Sequence, residues 1–273
     1  RQAPRDARTA TPVARYPIPT NANNLTWGRE RMTDVTQGHI VQRYDKELGR
    51  VRGMVLEMGE FVLEQARWAV RALTTGDIDL ARKVVDNERK IDYFELDVDE
   101  AVFNIIAKRQ PAAIDLRLIL ALSKSVGFVE RSGDKAEQIA WCVIRLMERE
   151  GQNPSSKILH HVRRLDQVAC RLLELALDAL AKADVDLALE VFREGRELEE
   201  EFDAAMRHLM TFVFEDSALL GQVLDIVFAL RALESIGDHA TNIAEQVIFV
   251  AKGKDIRYQN KEILVEALSR RKR

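Results

Sequence analysis

The residues best suited to chemistry in this 273-residue sequence are carboxylates set four positions apart. Glu130 and Asp134 form one such pair, and Glu234 and Asp238 form another. On an α-helix this spacing stacks both side chains on one face, with Cβ atoms ~5–6 Å apart. Upstream of the first pair, Glu88, Asp92, Glu95 and Asp99 follow one another at helical intervals and share a single stripe. Glu199 and Asp203 stand in the same place before the second pair. Like charges at this spacing repel by roughly 0.2–0.5 kcal/mol per pair, and by more where neighbours remove water. Such stripes either face solvent, with Arg131 and Arg231 as salt-bridge partners, or surround a compensating cation. An all-oxygen donor set suits iron, magnesium, manganese or calcium better than zinc or copper.

A carboxylate-bridged metalloenzyme is the catalytic alternative. Four-helix diiron sites use Glu-x-x-His pairs, and the sequence contains none. His239 follows Asp238 directly, so it points about 100° away from it and reads as a surface or partner-facing residue. His39, His160, His161 and His208 are scattered along the chain, and none belongs to a Cys or carboxylate motif. Phosphate-binding loops, nucleophile elbows and dinucleotide-binding glycine patterns are absent. Trp68 and Trp141 read as core anchors. Cys142 and Cys170 have neither metal-ligand nor redox spacing, as expected of a reducing compartment. The reading is therefore a non-enzyme located in the cytoplasm.

Net charge is −3, unevenly spread. Residues 1–31 carry six arginines against Asp6 and Glu30, which leaves the rest of the chain clearly acidic and argues against nucleic-acid binding. The apolar runs, such as Val126–Val129 and Ile226–Leu230, are far shorter than the ~20 residues a membrane helix needs, so no membrane insertion is expected.

The elements that must position the carboxylates are helices. Four of the six prolines fall within the first nineteen residues, and beyond Gln37 only Pro111 and Pro154 remain in a chain rich in Leu, Ala, Glu and Arg. The pattern predicts helices near 40–75, 77–107, 112–150, 155–182, 184–213 and 217–252, with a short one near 261–270. The third carries a seam of Ile119, Leu122, Val126, Val129, Gly133, Ala136, Ala140 and Val143. The sixth carries Val223, Ile226, Leu230, Leu233, Gly237, Ala240, Ala244 and Val247, each 104 residues later. Around these glycines Glu130–Ala140 matches Glu234–Ala244 at six of eleven positions, and Asp77–Ala81 matches Asp184–Ala188 at an offset of 107. The chain is thus an internal repeat. The expected fold is all-α, two tandem three-helix bundles of long antiparallel helices. The expected domains are a disordered tail over 1–33 outside the folded protein, repeats over 34–150 and 151–257, and a short basic helical tail over 258–273.

Ile106-Ala-Lys-Arg-Gln-Pro111 through Asp115-Leu-Arg117, Glu130-x-x-Gly-Asp134, Leu209-Met-Thr, Glu215-Asp-Ser217, the string from Glu234 to Glu245, and Ala251 to Arg257 closely resemble PhoU proteins. The resemblance runs from about Asp34 to Arg257. It implies a cytoplasmic protein, commonly a homodimer, that negatively regulates the phosphate-starvation response. It further implies contacts with the ATPase subunit of the phosphate ABC transporter and with a phosphate sensor histidine kinase. Some family members bind iron or other metals through E/DxxxD motifs. Glu130/Asp134 and Glu234/Asp238 match that motif, and Glu88/Asp92, Glu95/Asp99 and Glu199/Asp203 fit its spacing. Phe202 stands where the first repeat has Glu95, which thins the second cluster.

Overall fold

Six long helices account for nearly all of the computed structural model, which describes residues 42–150 and 155–257 together with Lys261 and Val265. They are α1 (Gln42–Thr75), α2 (Ile78–Arg109), α3 (Ala113–Glu150), α4 (Ser156–Lys182), α5 (Val185–Glu215) and α6 (Leu220–Lys252). A single 3₁₀ turn, Ser217–Leu219, precedes α6 where the sequence pattern places the start of the helix. No strand occurs among the described residues. The N-terminal tail over 1–33 lies outside the described residues. So does the short helix near 261–270, apart from Lys261 and Val265, which are helical.

The helix ends follow from local chemistry that recurs between the repeats. The Asp77 side chain accepts a hydrogen bond from the Leu80 amide at 2.9 Å and opens α2. Its counterpart Asp184 accepts from Asp186 at 2.8 Å and from Leu187 at 3.3 Å and opens α5. Such caps satisfy backbone donors that the first helical turn leaves without partners. Before each aspartate the chain reverses through one left-handed residue, Gly76 at φ 70° in the first repeat and Ala183 at φ 50° in the second. Glycine adopts this conformation without a Cβ clash, whereas alanine does so under strain. Pro111 lies in the connector between α2 and α3, where its missing amide interrupts no helix.

Packing arranges the helices as a central set flanked on two sides. The helices α3 and α6 pack against one another more extensively than any other pair, and α1 lies against both α3 and α4. The helix α2 packs on α1 and α3, while α5 packs on α4 and α6. The apolar seams of all six feed one continuous core rather than two, with Leu122, Val129, Ala140, Leu230, Leu233 and Ala244 all fully buried. Each buried leucine or isoleucine contributes about 1.5–3 kcal/mol of transfer free energy, set against the entropy of ordering the chain. The glycines mark close approaches. A Cβ on Gly133 would lie 2.6 Å from Ile91 Cδ1 on α2, and one on Gly237 would overlap the end of Leu198 on α5. The repeat boundary carries charge as well: buried Asp225 on α6 accepts from Arg145 Nε at 3.1 Å and from Arg149 at 2.9 Å, both on α3. No helix among the described residues is long and apolar enough to cross a membrane.

Candidate functional site

The two carboxylate stripes fall on the outer seams, one between α2 and α3 and the other between α5 and α6. Close packing at Gly133 brings α2 and α3 together one turn from the first set of acids. Glu88, Glu95 and Glu130 are half-buried there, whereas Asp92, Asp99 and Asp134 reach solvent. Partial burial pushes Glu130 from 4.5 up to about 7, helped by the charges of Asp134, Glu95 and Asp92 and opposed by Arg131. Burial likewise lifts Glu88 to about 7, with contributions from Asp92, Glu137 and Asp134. Glu95 and Asp134 are raised for the same first reason, and Lys135 and Arg131 partly restrain Asp134. The six acids of the first stripe therefore share one field, although Asp99 reaches it only through Glu95.

The second seam is less acidic and better compensated. Asp238 is raised by burial and by the charges of Glu234 and Glu199, while Lys261 and Arg231 pull it down. Glu234 is ion-paired with Arg231 on its own helix. Phe202, buried, fills the place of Glu95, and Gly195 takes that of Glu88. Asp203 is exposed and is not among the groups that raise Asp238.

Several sequence expectations are corrected here. His239 is not a surface residue: it lies half-buried across the repeat boundary, with Nδ1 3.1 Å from Ser132 Oγ, and burial lowers it to about 4. The other histidines are not all scattered. His161 places Nδ1 3.2 Å from the buried carboxylate of Glu201 and Nε2 2.9 Å from His208 Nδ1, and the His160 ring packs edge-on against it. Arg164 holds the same carboxylate at 2.7 Å. Long sequence separation between α4 and α5 hid this cluster. Trp141 is no core anchor, being 43% exposed. Glu137, overlooked in the stripe, joins it through its field on Glu88, and its position seven residues after Glu130 could have revealed it.

The PhoU domain pattern matches residues 55–143 and again 162–247, one match per repeat. The chain belongs to the PhoU family. A Pseudomonas aeruginosa relative, named a phosphate-specific transport system accessory protein PhoU homolog, is 43% identical over 220 residues, 81% of this chain and 90% of that one. The Escherichia coli K12 accessory protein PhoU is 35% identical over 220 residues, with the same shares. A crystal structure of PhoU from Pseudomonas aeruginosa, 42% identical, superposes with a TM-score of 0.73 over 77% of this chain and all of that one. A PhoU from Streptococcus pneumoniae at 21% identity and TM-score 0.71, covering 78% of this chain and 98% of that one, shares the fold. In this PhoU-family chain the two domain matches end within the helices that carry the Glu130/Asp134 and Glu234/Asp238 pairs, so each carboxylate pair belongs to one domain copy.

Among the described residues, no three His, Cys, Asp or Glu side chains close on one ion position as they stand. The oxygen-only donor set of the first seam fits a hard cation in kind, and its raised acids are the groups a cation would relieve. Asp92 and Asp134 of that set are exposed, whereas Glu88, Glu95 and Glu130 are half-buried.

Proposed function

We propose that this chain is a phosphate-signalling regulator that restrains the phosphate-starvation response and modulates phosphate uptake. It works without catalysis, as a cytoplasmic homodimer, by contacting the ATPase subunit of the phosphate ABC transporter and the phosphate sensor histidine kinase. The observation that carries this reading is the 43% identity, across nine-tenths of its length, to a phosphate-specific transport accessory protein. Large exposed apolar side chains such as Phe103, Phe214 and Phe228 suit a protein that acts through contacts. The test is a clean deletion in a strain with no second copy of the gene. Starvation genes should stay on in phosphate-rich medium, and the tagged chain should retain the transporter ATPase or the kinase. Normal repression in the deletion strain overturns the proposal.

Within that reading, Glu88, Asp92, Glu95, Asp99, Glu130 and Asp134 hold a hard metal ion, iron, magnesium, manganese or calcium. Glu199, Asp203, Glu234 and Asp238 form a weaker second set. The observation favouring the first set is the elevation of both Glu88 and Glu130 to about 7 by burial and mutual repulsion. The ion supplies positive charge, and the chain's part is to hold the carboxylates in range. A carboxylate-bridged metalloenzyme unrelated to signalling is the alternative, and it requires oxygen turnover by metal-loaded protein.

A further inference from the structure

The internal repeat lets one half of the molecule serve as a template for the other. In the second repeat, the face formed by α5 and α6 is covered by Lys261, a helical residue beyond the repeat itself. The Lys261 ammonium lies 2.5 Å from Glu245 Oε1 and 5.1 Å from the centre of the Phe192 ring, and Val265, helical and four residues further on, packs against the core. Under this cover Glu245 is only 3% exposed and Phe192 6%. The burial of a carboxylate with a lysine directly upon it is what makes this an engaged face.

The offsets of 104 and 107 carry that face onto the first repeat. Glu245 becomes Trp141, Phe192 becomes Val85, and Thr241 becomes Glu137. No described residue covers the equivalent surface as Lys261 covers Glu245: Trp141 is 43% exposed, and Val85 and Glu137 are half-exposed. Trp141 Nε1 donates to Glu137 Oε1 at 3.1 Å, so the indole and the carboxylate are held side by side. Glu88 and Asp134 add negative charge beside Glu137. An exposed indole against an acidic rim favours a cation that also brings an apolar side chain, since lysine and arginine bind both the ring face and the carboxylate.

We propose that the α2/α3 face around Trp141 and Glu137 receives a basic amphipathic helix of another polypeptide, with a lysine or arginine four residues before a branched aliphatic side chain. Charge complementarity and the internal template define that occupant. A second copy of this chain is a poorer fit, because each copy already seats its own Lys261 on its second repeat and packs its own Val265 against the core. The inference goes beyond the phosphate-signalling reading and stands whether or not that reading survives.

The test uses the full chain with a fluorescently labelled synthetic peptide of residues 255–273, which carries the Lys261/Val265 pair. Saturable binding in anisotropy is expected, weakened at least tenfold by Trp141→Glu and by Glu137→Lys, and retained by Glu245→Gln on the template face. A peptide with Lys261→Glu and Val265→Asp should not bind. Both chain substitutions lie on a solvent-facing surface, and a melting curve confirms folding for each. Three outcomes overturn the proposal. One is the absence of saturable binding. Another is binding indifferent to both Trp141→Glu and Glu137→Lys. The third is a dimer in sedimentation equilibrium that Trp141→Glu dissociates, which would assign the face to a second copy.

Discussion

Along α2 and α3, burial raises the proton affinity of Glu88, Glu95, Glu130 and Asp134, the charge of Asp92 adds to it at all four, and Arg131 and Lys135 offset that field in part. Along α5 and α6, Arg231 pairs with Glu234, Lys261 bears on Asp238, and apolar Phe202 replaces one acid altogether. The same helical repeat thus carries a weakly compensated seam in one copy and a better compensated one in the other. Duplicated sequence preserves the scaffold, the glycines and the ExxxD pairs. Compensation depends on single positions outside that motif, and it is there that the copies part company. The first seam is therefore the one on which the proposed cation would have the larger effect.

Chelation offers the largest effect by which to break this contrast. An ion bound to the folded state at a hundredfold excess over its Kd stabilises it by about 2.7 kcal/mol. Stripping metal should therefore lower the melting temperature, and Asp134→Asn should abolish most of that dependence, whereas Asp238→Asn should leave it largely intact. A melting curve unmoved by chelator and by Asp134→Asn removes the metal assignment and leaves the family function untouched.

The glycines come next. Gly237→Leu should cost ~1–3 kcal/mol in denaturant unfolding through overpacking against Leu198. Gly133→Leu should cost somewhat less, because its nearest neighbour, Ile91 Cδ1, stands further off at 2.6 Å. Equal stability of Gly237→Leu and the parent would show that the seam is not where α5 meets α6.

A smaller, pH-dependent difference should separate the seams. Glu88 and Glu130 bind protons more tightly in the folded protein, near 7, than at their ordinary 4.5. Their protonation favours folding, so this contribution is fully present below about 4.5 and is lost as pH rises through 7. His239, lowered to about 4, acts the other way, its contribution being lost as pH falls from 6.5 through 4. Comparing metal-free parent with Glu88→Gln/Glu130→Gln cancels the histidine. The double variant should gain stability relative to the parent as pH rises from 5 to 8. A constant difference between the two across that range would mean the acids are simply solvated.

The smallest effect lies in the turns. Ala183→Gly should stabilise the second repeat by ~1 kcal/mol by relieving left-handed strain at φ 50°, and Gly76→Ala should destabilise the first by a similar amount. Calorimetry of the two variants reads both signs.

Much of the fold was legible because periodicity and punctuation are local properties. The capping aspartates at 77 and 184, the proline at 111 and the seams through Gly133 and Gly237 place the helices to within a few residues. The ExxxD pairs were legible for the same reason, since one helix face is fixed by spacing alone. Contacts between distant segments were not. His161 meets Glu201 and His208 across forty and forty-seven residues, and no spacing rule spans that separation. Trp141 misled because burial depends on what covers a position. Its counterpart Glu245, a poorer core residue by type, is the buried one because Lys261 sits over it.

The single core shared by the two repeats has a consequence for how the molecule divides. Buried Asp225 is clamped by Arg145 and Arg149, and His239 rests on Ser132, so the inner faces of α3 and α6 complete each other. A half-chain ending after α3 would bare the apolar strip that α6 now shields. It would either precipitate or pair with another half, recreating in two pieces what the intact chain does in one. A chain of one repeat alone would then live as a two-fold dimer. Within one polypeptide each outer seam can change on its own, because a substitution does not appear on both sides of the axis at once.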